Sequence, residues 1–216
     1  MVKESLEVPE IGFYNLRKRM TAEQLEYANS ILKKNITFSN SGAGTGKTTV
    51  AVACMRFLYE LGLINHLYYI VSPCEEKALG HRPGTQKEKE ADYMYPLHDA
   101  LVEIGEVPER ATDEVAGWVT PKTDTFLRGT NIKGAGVIIE EAQNWTTHQL
   151  RKGLTRLHDD CTVVVIGHDG QIDLKRPQDS GFKKCIEHFE VLGDKVGVVT
   201  LTTDFRGWIS SHADKL

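Results

Sequence analysis

The stretch Ser39-Asn-Ser-Gly-Ala-Gly-Thr-Gly-Lys-Thr-Thr49 decides the fold, because residue types in this order bind phosphate through the backbone. Glycines let the chain curl until successive N–H groups point inward at a polyphosphate, and the helix that follows adds the partial positive charge of its N-terminus. Lys47 can reach the β- and γ-phosphates, and the Thr48 hydroxyl can bind Mg²⁺. We therefore predict an ATP-binding loop made of Ser41, Gly42, Ala43, Gly44, Thr45, Gly46, Lys47, Thr48 and Thr49.

The flanking sequence places this loop between a strand and a helix. Residues 35–39 form a short β-prone run, and apolar residues recur at helical spacing through 49–61 until Gly62, a residue that commonly ends a helix. The usual pattern has glycine five places before Gly46, where this chain has Ser41. A flexible Gly/Ser linker before an ordinary helix is the alternative, but Lys-Thr-Thr directly after the glycines serves no purpose in a linker.

Composition narrows the class of protein. The 216 residues fit one domain, or one domain with an inserted subregion, and 40% hydrophobic with 26% charged residues is ordinary for a soluble globular chain. A net charge of −4 and a pI near 6.1 argue against a protein that coats nucleic acid through a strongly basic surface. The cysteines are dispersed, as Cys54, Cys74, Cys161 and Cys185, which favours reduced thiols. With no secretory signal and no apolar run of membrane-spanning length, we expect a cytoplasmic protein that does not contact a membrane.

Apolar runs that do not alternate, separated by helical segments, predict an α/β fold in which a parallel sheet is covered on both faces. Residues 1–20 suggest a polar, partly disordered lead-in to a domain over 21–216, and residues 105–135 suggest a small insertion outside the main sheet. Ligands of such sheets gather at the carboxyl ends of the strands, where each remaining candidate residue lies. We expect strands at 35–39, 67–71, 136–140, 161–166 and 196–201, and helices at 21–34, 49–61, 93–104 and 147–157 with a short one before the last strand.

Two acids follow the third expected strand. The run Val137-Ile-Ile-Glu140-Glu141 is a Walker B pattern, in which one acid holds Mg²⁺ and the next orients the attacking water. We assign Glu140 to the metal, although the usual residue is Asp, and Glu141 to the general base. The alternative is a pair of carboxylates that starts a helix and is favoured by the helix dipole.

Two later strand ends add candidates for phosphoryl transfer. The turn Gly167-His-Asp-Gly-Gln171 presents Gln171 where it can sense the γ-phosphate, with a purely structural turn as the alternative. Arg206 follows the last strand and can stabilise the charge that develops in the reaction, although a lone Arg there is more often a surface ion-pair partner. The candidate catalytic residues are therefore Glu141, Gln171 and Arg206.

Taken together, these motifs resemble the PhoH-like ATPases, whose core is related to superfamily-one helicases. The resemblance implies a single RecA-like P-loop NTPase domain with ATP and Mg²⁺ as cofactors, and the small size resembles a phage-encoded member. It also implies that Gln24 reads the adenine edge, although Thr21-x-x-Gln24 is equally a helix capping box. The resemblance to this family rests on segments along most of the chain. The first are Gly42-Ala-Gly-Thr-Gly-Lys-Thr48, Gly80-His-Arg-Pro-Gly84 with Lys89 and Tyr93-Met-Tyr-Pro96, and Phe126-Leu-Arg-Gly-Thr130. The later ones are Glu141-Ala-Gln-Asn144 with Thr146 and Gln149, Leu154-Thr-Arg156, Gly167 to Leu174, and Asp204-Phe-Arg206.

Three residues depart from the family pattern, and they leave more than one function open. Ser41 replaces a loop glycine, Glu140 replaces the Walker B Asp, and His168 replaces the Asp of the turn after the fourth strand, with Asp169 one place late. These departures bear on the rate of hydrolysis more than on nucleotide binding. The first hypothesis is an ATPase that acts on RNA or single-stranded DNA, and the second is a nucleotide-responsive regulatory or binding protein with little hydrolysis. A small-molecule kinase shares the loop but fits the later motifs poorly.

The number of cores bears on assembly. Superfamily-one helicases place ATP between two cores, and this chain has one Walker A and one Walker B pattern, so we expect Arg206 to reach the site of a neighbouring subunit in a closed ring. The resemblance points to a hexamer. Lys and Arg of residues 77–89 or 122–133 could then line a channel in which Trp118 or Phe126 stacks on bases, with buried packing as the alternative for both rings.

Overall fold

The computed structural model describes residues 3–72, 94–127 and 129–213, and its centre is a six-stranded sheet. The order across the sheet is β3-β2-β4-β5-β1-β6, and every neighbouring pair is parallel. All carboxyl ends therefore meet at one edge, as parallel pairing requires. The strands are β1 Ile36–Asn40, β2 Leu67–Val71, β3 Val119–Thr123, β4 Gly136–Glu140, β5 Thr162–Gly167 and β6 Val196–Val199.

Helices cover both faces of this sheet. They are α1 Ala22–Lys33, α2 Lys47–Glu60, α3 Tyr95–Glu103, α4 Pro108–Ala111, α5 Thr147–Leu154, α6 Phe182–Glu190 and α7 Trp208–Ala213, with short 3-10 turns at Lys3–Ser5, Asp124–Leu127, Ala142–Asn144 and Pro177–Asp179. None of the helices in the described ranges has both the length and the apolar character needed to span a bilayer.

Successive side chains of the central strands point to opposite faces of the sheet, so the core consists of two clusters, one on each face. Ile138 of β4 packs with α1, α2 and α3 on one face, whereas Val137 and Ile139 pack with α5 and α6 on the other. Both faces are buried because the central strands are continuously apolar. The predicted parallel α/β sheet is thus confirmed, and its loop, acids and turn all lie at one edge.

The expectation of an insertion outside the sheet at 105–135 is wrong for β3. This strand pairs with β2 along its whole length, with Tyr69 opposite Pro121. It is an edge strand in which only Val119 is fully buried. A polar sequence with a proline is compatible with an edge, where one side of the backbone needs no partner.

The first residues are packed rather than partly disordered. In the described range 3–20, Val8, Phe13 and Leu16 are buried in the cluster of α1 and α2. The Phe13 ring meets Phe57 edge-on at 6.0 Å between centroids. The Lys3 ammonium donates to the Lys34 carbonyl at 2.7 Å. Residues 3–20 therefore extend the domain that we predicted to begin at residue 21.

Candidate nucleotide-binding site

The loop between β1 and α2 has the curled backbone that its glycines predict. Gly44 and Gly46 both have φ of +75°, a region that favours glycine. The Lys47 ammonium and the Thr45 hydroxyl each donate to the Gly42 carbonyl at 3.1 Å. Ala43 lies in the same loop and Thr49 in the first turn of α2. The Lys47 side chain thus folds back onto the loop, at the N-terminus of α2.

Ser41 fastens the start of the loop to the sheet. Its buried Oγ accepts a hydrogen bond from the Leu201 N–H at 2.8 Å and lies 2.9 Å from the Ser39 hydroxyl. The Ser41 N–H donates to the Gly167 carbonyl at 3.0 Å. Leu201 is itself buried, so a glycine at position 41 would leave its N–H without this acceptor. The departure from the usual loop glycine therefore has a structural role.

Glu140 and Thr48 meet at the end of β4. The Thr48 hydroxyl donates to Glu140 Oε1 at 2.9 Å. Glu140 is buried, and its Oε2 has no hydrogen-bond partner within the described part of the chain. Burial raises the pKa of this carboxyl to about 7, an effect that neighbouring Glu141 strengthens and Lys47 opposes. Tyr69 lies close enough to lower that pKa somewhat, although its hydroxyl makes no hydrogen bond of good geometry with Oε2.

These two side chains fit a magnesium ion. A hydroxyl and a carboxylate oxygen are ligands that Mg²⁺ takes together with water and phosphate oxygens. A buried carboxylate oxygen without a donor is costly on its own, and a cation beside Oε2 would remove that cost. The predicted metal ligands thus lie together, at the edge of the sheet that holds the phosphate loop.

Glu141 turns away from the strand. Its φ of +52° is uncommon for a residue with a side chain, and it leaves Glu141 exposed where Glu140 is buried. The Gln143 side-chain amide donates to Glu141 Oε2, and its oxygen accepts from the His168 N–H at 3.0 Å. Buried Gln143 therefore links the candidate base to the turn after β5. The sequence indicated Gln143 only as part of a family motif and gave no sign of this link.

The turn after β5 is braced from two sides. The Asp169 N–H donates to Asn40 Oδ1 at 3.1 Å, beside the phosphate loop, and the Gln171 N–H donates to the His168 carbonyl at 3.1 Å. The His168 ring lies over Gly170. Gln171 is exposed at the same edge of the sheet as Glu141. A second brace, which the sequence did not suggest, joins the Asn144 and Asp173 side chains at 3.1 Å.

Arg206 lies at the phosphate loop of its own chain. Its guanidinium forms a two-pronged ion pair with Asp204, with Nε–Oδ1 and Nη2–Oδ2 both 3.0 Å. The Phe205 N–H donates to the Gly44 carbonyl at 2.9 Å. A Cβ on Gly44 would come within 2.5 Å of the Asp204 carboxylate. These contacts place Arg206 beside the phosphate loop of its own chain, while its expected role in the site of a neighbouring subunit stays a prediction.

The first turn of α1 supports the loop from the other side. Thr21 and Gln24 form the predicted capping box, with bonds of 3.1 and 3.2 Å. The buried Gln24 amide nitrogen also donates to the Thr45 carbonyl at 2.9 Å. The neighbouring Glu23 carboxylate accepts from the Thr202 N–H at 2.8 Å. The capping alternative is therefore confirmed, while contact with adenine stays a prediction.

The aromatic candidates for base stacking differ in position. Trp118 is buried near the amino end of β3, away from the site, with its ring 5.7 Å from Tyr59. Phe126 is half-buried beyond the carboxyl end of β3, stacked on Tyr68 at 5.4 Å and with Lys122 Nζ 5.5 Å from its ring. The candidate basic segment 77–89, the family segments at 80–84 and 93 with Lys89, and Arg128 lie outside the described residues.

Comparisons with known proteins agree with this geometry. A family model described as PhoH-like protein matches residues 17–205. The chain is 31% identical over 188 residues to a PhoH-like protein of Mycobacterium tuberculosis, covering 85% of this chain and 52% of that one. It is 33% identical over 186 residues to Protein PhoH of Escherichia coli, covering 82% of this chain and 50% of that one. The chain thus spans about half the length of the curated relatives it matches.

The fold also resembles a solved helicase. The crystal structure of the DUF1998 helicase MrfA bound to DNA superposes with a TM-score of 0.50 at 12% identity, covering 92% of this chain and 31% of that one. At this identity the likeness concerns the fold alone. The family match, the RecA-like sheet and the phosphate loop agree on a P-loop nucleotide-binding protein, and the chain belongs to the PhoH-like protein family.

Proposed function

We propose that this chain is a Mg²⁺-dependent ATPase whose nucleotide lies in the loop of residues 41–48. The observation that carries the proposal is the 2.9 Å bond from the Thr48 hydroxyl to Glu140, a buried carboxylate whose second oxygen lacks a partner among the described residues. This arrangement fits a site built for a cation beside a bound phosphate chain. Thr48 and Glu140 would hold the ion, which would offset the negative charge of the phosphates.

The chain's own residues have distinct roles in the proposed reaction. Lys47 exchanges the Gly42 carbonyl for phosphate oxygens, and the loop N–H groups bind the phosphates. The Glu141 carboxylate accepts the proton of the attacking water, whose oxygen bonds to the γ-phosphorus as the bond to the β–γ bridging oxygen breaks. Arg206 stabilises the charge that moves onto the bridging oxygen. The products are ADP and inorganic phosphate.

Steady-state phosphate release from the wild-type chain and from Glu141→Gln tests this proposal. The substitution keeps the shape of the side chain and removes its basicity, so we expect a loss of turnover of at least about a hundredfold with little change in the affinity for a fluorescent ATP analogue. Glu109→Gln, the same change at an exposed position outside the site, is the control. Equal rates for wild type and Glu141→Gln would refute the assignment.

The alternative is a nucleotide-responsive regulatory protein with little hydrolysis. The raised pKa of Glu140, about 7, favours it, because a carboxyl that is partly protonated near neutral pH holds Mg²⁺ less well. This reading predicts tight ATP binding and phosphate release that does not depend on Glu141. Phosphate release from the wild-type chain and from Glu141→Gln therefore distinguishes the ATPase from the regulatory protein.

Three further proposals concern the setting of this activity. We place the protein in the cytoplasm, in keeping with free thiols at Cys54, Cys161 and Cys185 in the described ranges.

We propose binding to RNA or single-stranded DNA, supported by the half-buried Phe126 beside Lys122. Loss of binding as salt increases would support an electrostatic contact, and no binding at low salt would exclude it. We also propose that copies associate as a ring, with a hexamer as the expected size.

A further inference from the structure

A groove between α5 and α6 is lined mainly by apolar side chains. Its volume is about 410 Å³. Leu150 is buried, while Leu154, Cys185 and Phe189 are half-buried and complete the floor. The groove lies on the sheet face of the second cluster, opposite α2 and α3. A concave apolar surface between two helices is a shape that accepts a third helix.

The rim of this groove is cationic. Arg151 and Lys184 are exposed at its two sides, and no ion pair within the described ranges involves either one. His188 lines the groove as well. The charged side chains that line it are all basic, so an occupant with apolar side chains and a carboxylate would complement the groove in shape and in charge.

The outer face of α3 has that combination. Tyr95 is 63% exposed and Val102 is 55% exposed, with Asp99 between them at the spacing i, i+4, i+7. These positions lie on one side of a helix. The inner side of α3 is buried against α2, so the outer apolar pair is not needed for the fold. No ion pair of the described residues involves Asp99.

The geometry points to a second copy of this chain as the occupant: the outer face of α3 docks in the α5–α6 groove of its neighbour, with Asp99 between Arg151 and Lys184. Because the two surfaces lie on opposite sides of the sheet, each copy uses one surface for each neighbour. Such head-to-tail contacts form a ring when the rotation between copies closes. The inference rests on the association proposed above and names the surfaces that produce it.

Charge reversal tests the contact through the mass in solution, measured by analytical ultracentrifugation at low salt. We expect Asp99→Lys and Lys184→Glu each to weaken self-association at least about tenfold, because like charges then face each other across the contact. The double variant restores opposite charges and should associate again. An equimolar mixture of the two single variants should associate as well, because each then meets a complementary surface on the other.

Two further variants separate the contact from a general effect on folding. Val102→Ser should weaken association because it removes an apolar contact, while Val115→Ser, which is 97% exposed but outside α3, should not. A wild type that stays monomeric at every concentration, or single reversals that the double variant and the mixture fail to rescue, would overturn the inference. ATP affinity measured on the same proteins keeps this result apart from the proposed function, because all of these residues lie outside the nucleotide site.

Discussion

Replacing Ser41 by the glycine usual in such loops should destabilise this protein. Ser41 Oγ is the acceptor for the buried Leu201 N–H at 2.8 Å. Removing it leaves a buried donor unpaired, which costs about 1–3 kcal/mol. Glycine also adds backbone freedom to the unfolded chain, worth roughly 0.5–1 kcal/mol. We therefore expect Ser41→Gly to lower the free energy of unfolding by about 1.5–4 kcal/mol.

Chemical denaturation with global fitting measures this difference, and thermal unfolding should show it as a lower Tm, by roughly 2–4 °C for each kcal/mol. Ser41→Ala removes the hydrogen bond without adding backbone freedom. It should therefore destabilise the protein less than Ser41→Gly does, by the roughly 0.5–1 kcal/mol attributed to glycine. Ser210→Ala, an exposed serine in α7, is the control for loss of a hydroxyl. Equal stability of Ser41→Gly and wild type would refute the role assigned to this hydroxyl.

Three more predictions concern the site. Arg206→Ala should keep ATP binding and lose turnover roughly a thousandfold. If Arg206 serves a neighbouring subunit, mixing this variant with Lys47→Ala should recover activity, and no recovery on mixing would show that Arg206 serves its own chain. Gly44→Ala should weaken ATP binding measured by titration calorimetry, because its Cβ would collide with Asp204 and Arg206; unchanged affinity would contradict the geometry. The pKa of Glu140 is raised by burial, so the folded state binds more protons than the unfolded state between about pH 4.5 and 7, and the contribution of Glu140 to stability falls as pH rises through that window. Glu140→Gln should therefore flatten the pH dependence of unfolding measured without Mg²⁺, and an unchanged slope would contradict the raised pKa.

The sequence alone predicted those features whose pattern lies within one short segment of the chain. The bounds of β2 and β4 were predicted correctly, because each is a short apolar run that polar or turn residues end. The capping box of Thr21 and Gln24 is equally local. The position of Glu140 at the end of β4 was predicted because an apolar run precedes it, while its role in metal binding stays a prediction.

Other features depend on segments far apart in the chain. The strand β3 is polar and contains Pro121, so only its pairing with β2 reveals it as part of the sheet. The packing of residues 3–20 rests on a few apolar side chains, such as Phe13, without a periodic pattern. The bond from Leu201 to Ser41 joins residues 160 positions apart, and no local pattern encodes it.

The hydrogen bond from the Phe205 N–H to the Gly44 carbonyl joins the phosphate loop to the segment that leads into α7. We expect a shift of the loop on phosphate binding to move the residues just before α7, whose first residue is Trp208, 74% exposed. Trp118 and Trp145 are buried in the two cores and far less open to solvent. Changes in tryptophan emission should therefore arise mainly from Trp208, and nucleotide titrations can be followed without an attached dye.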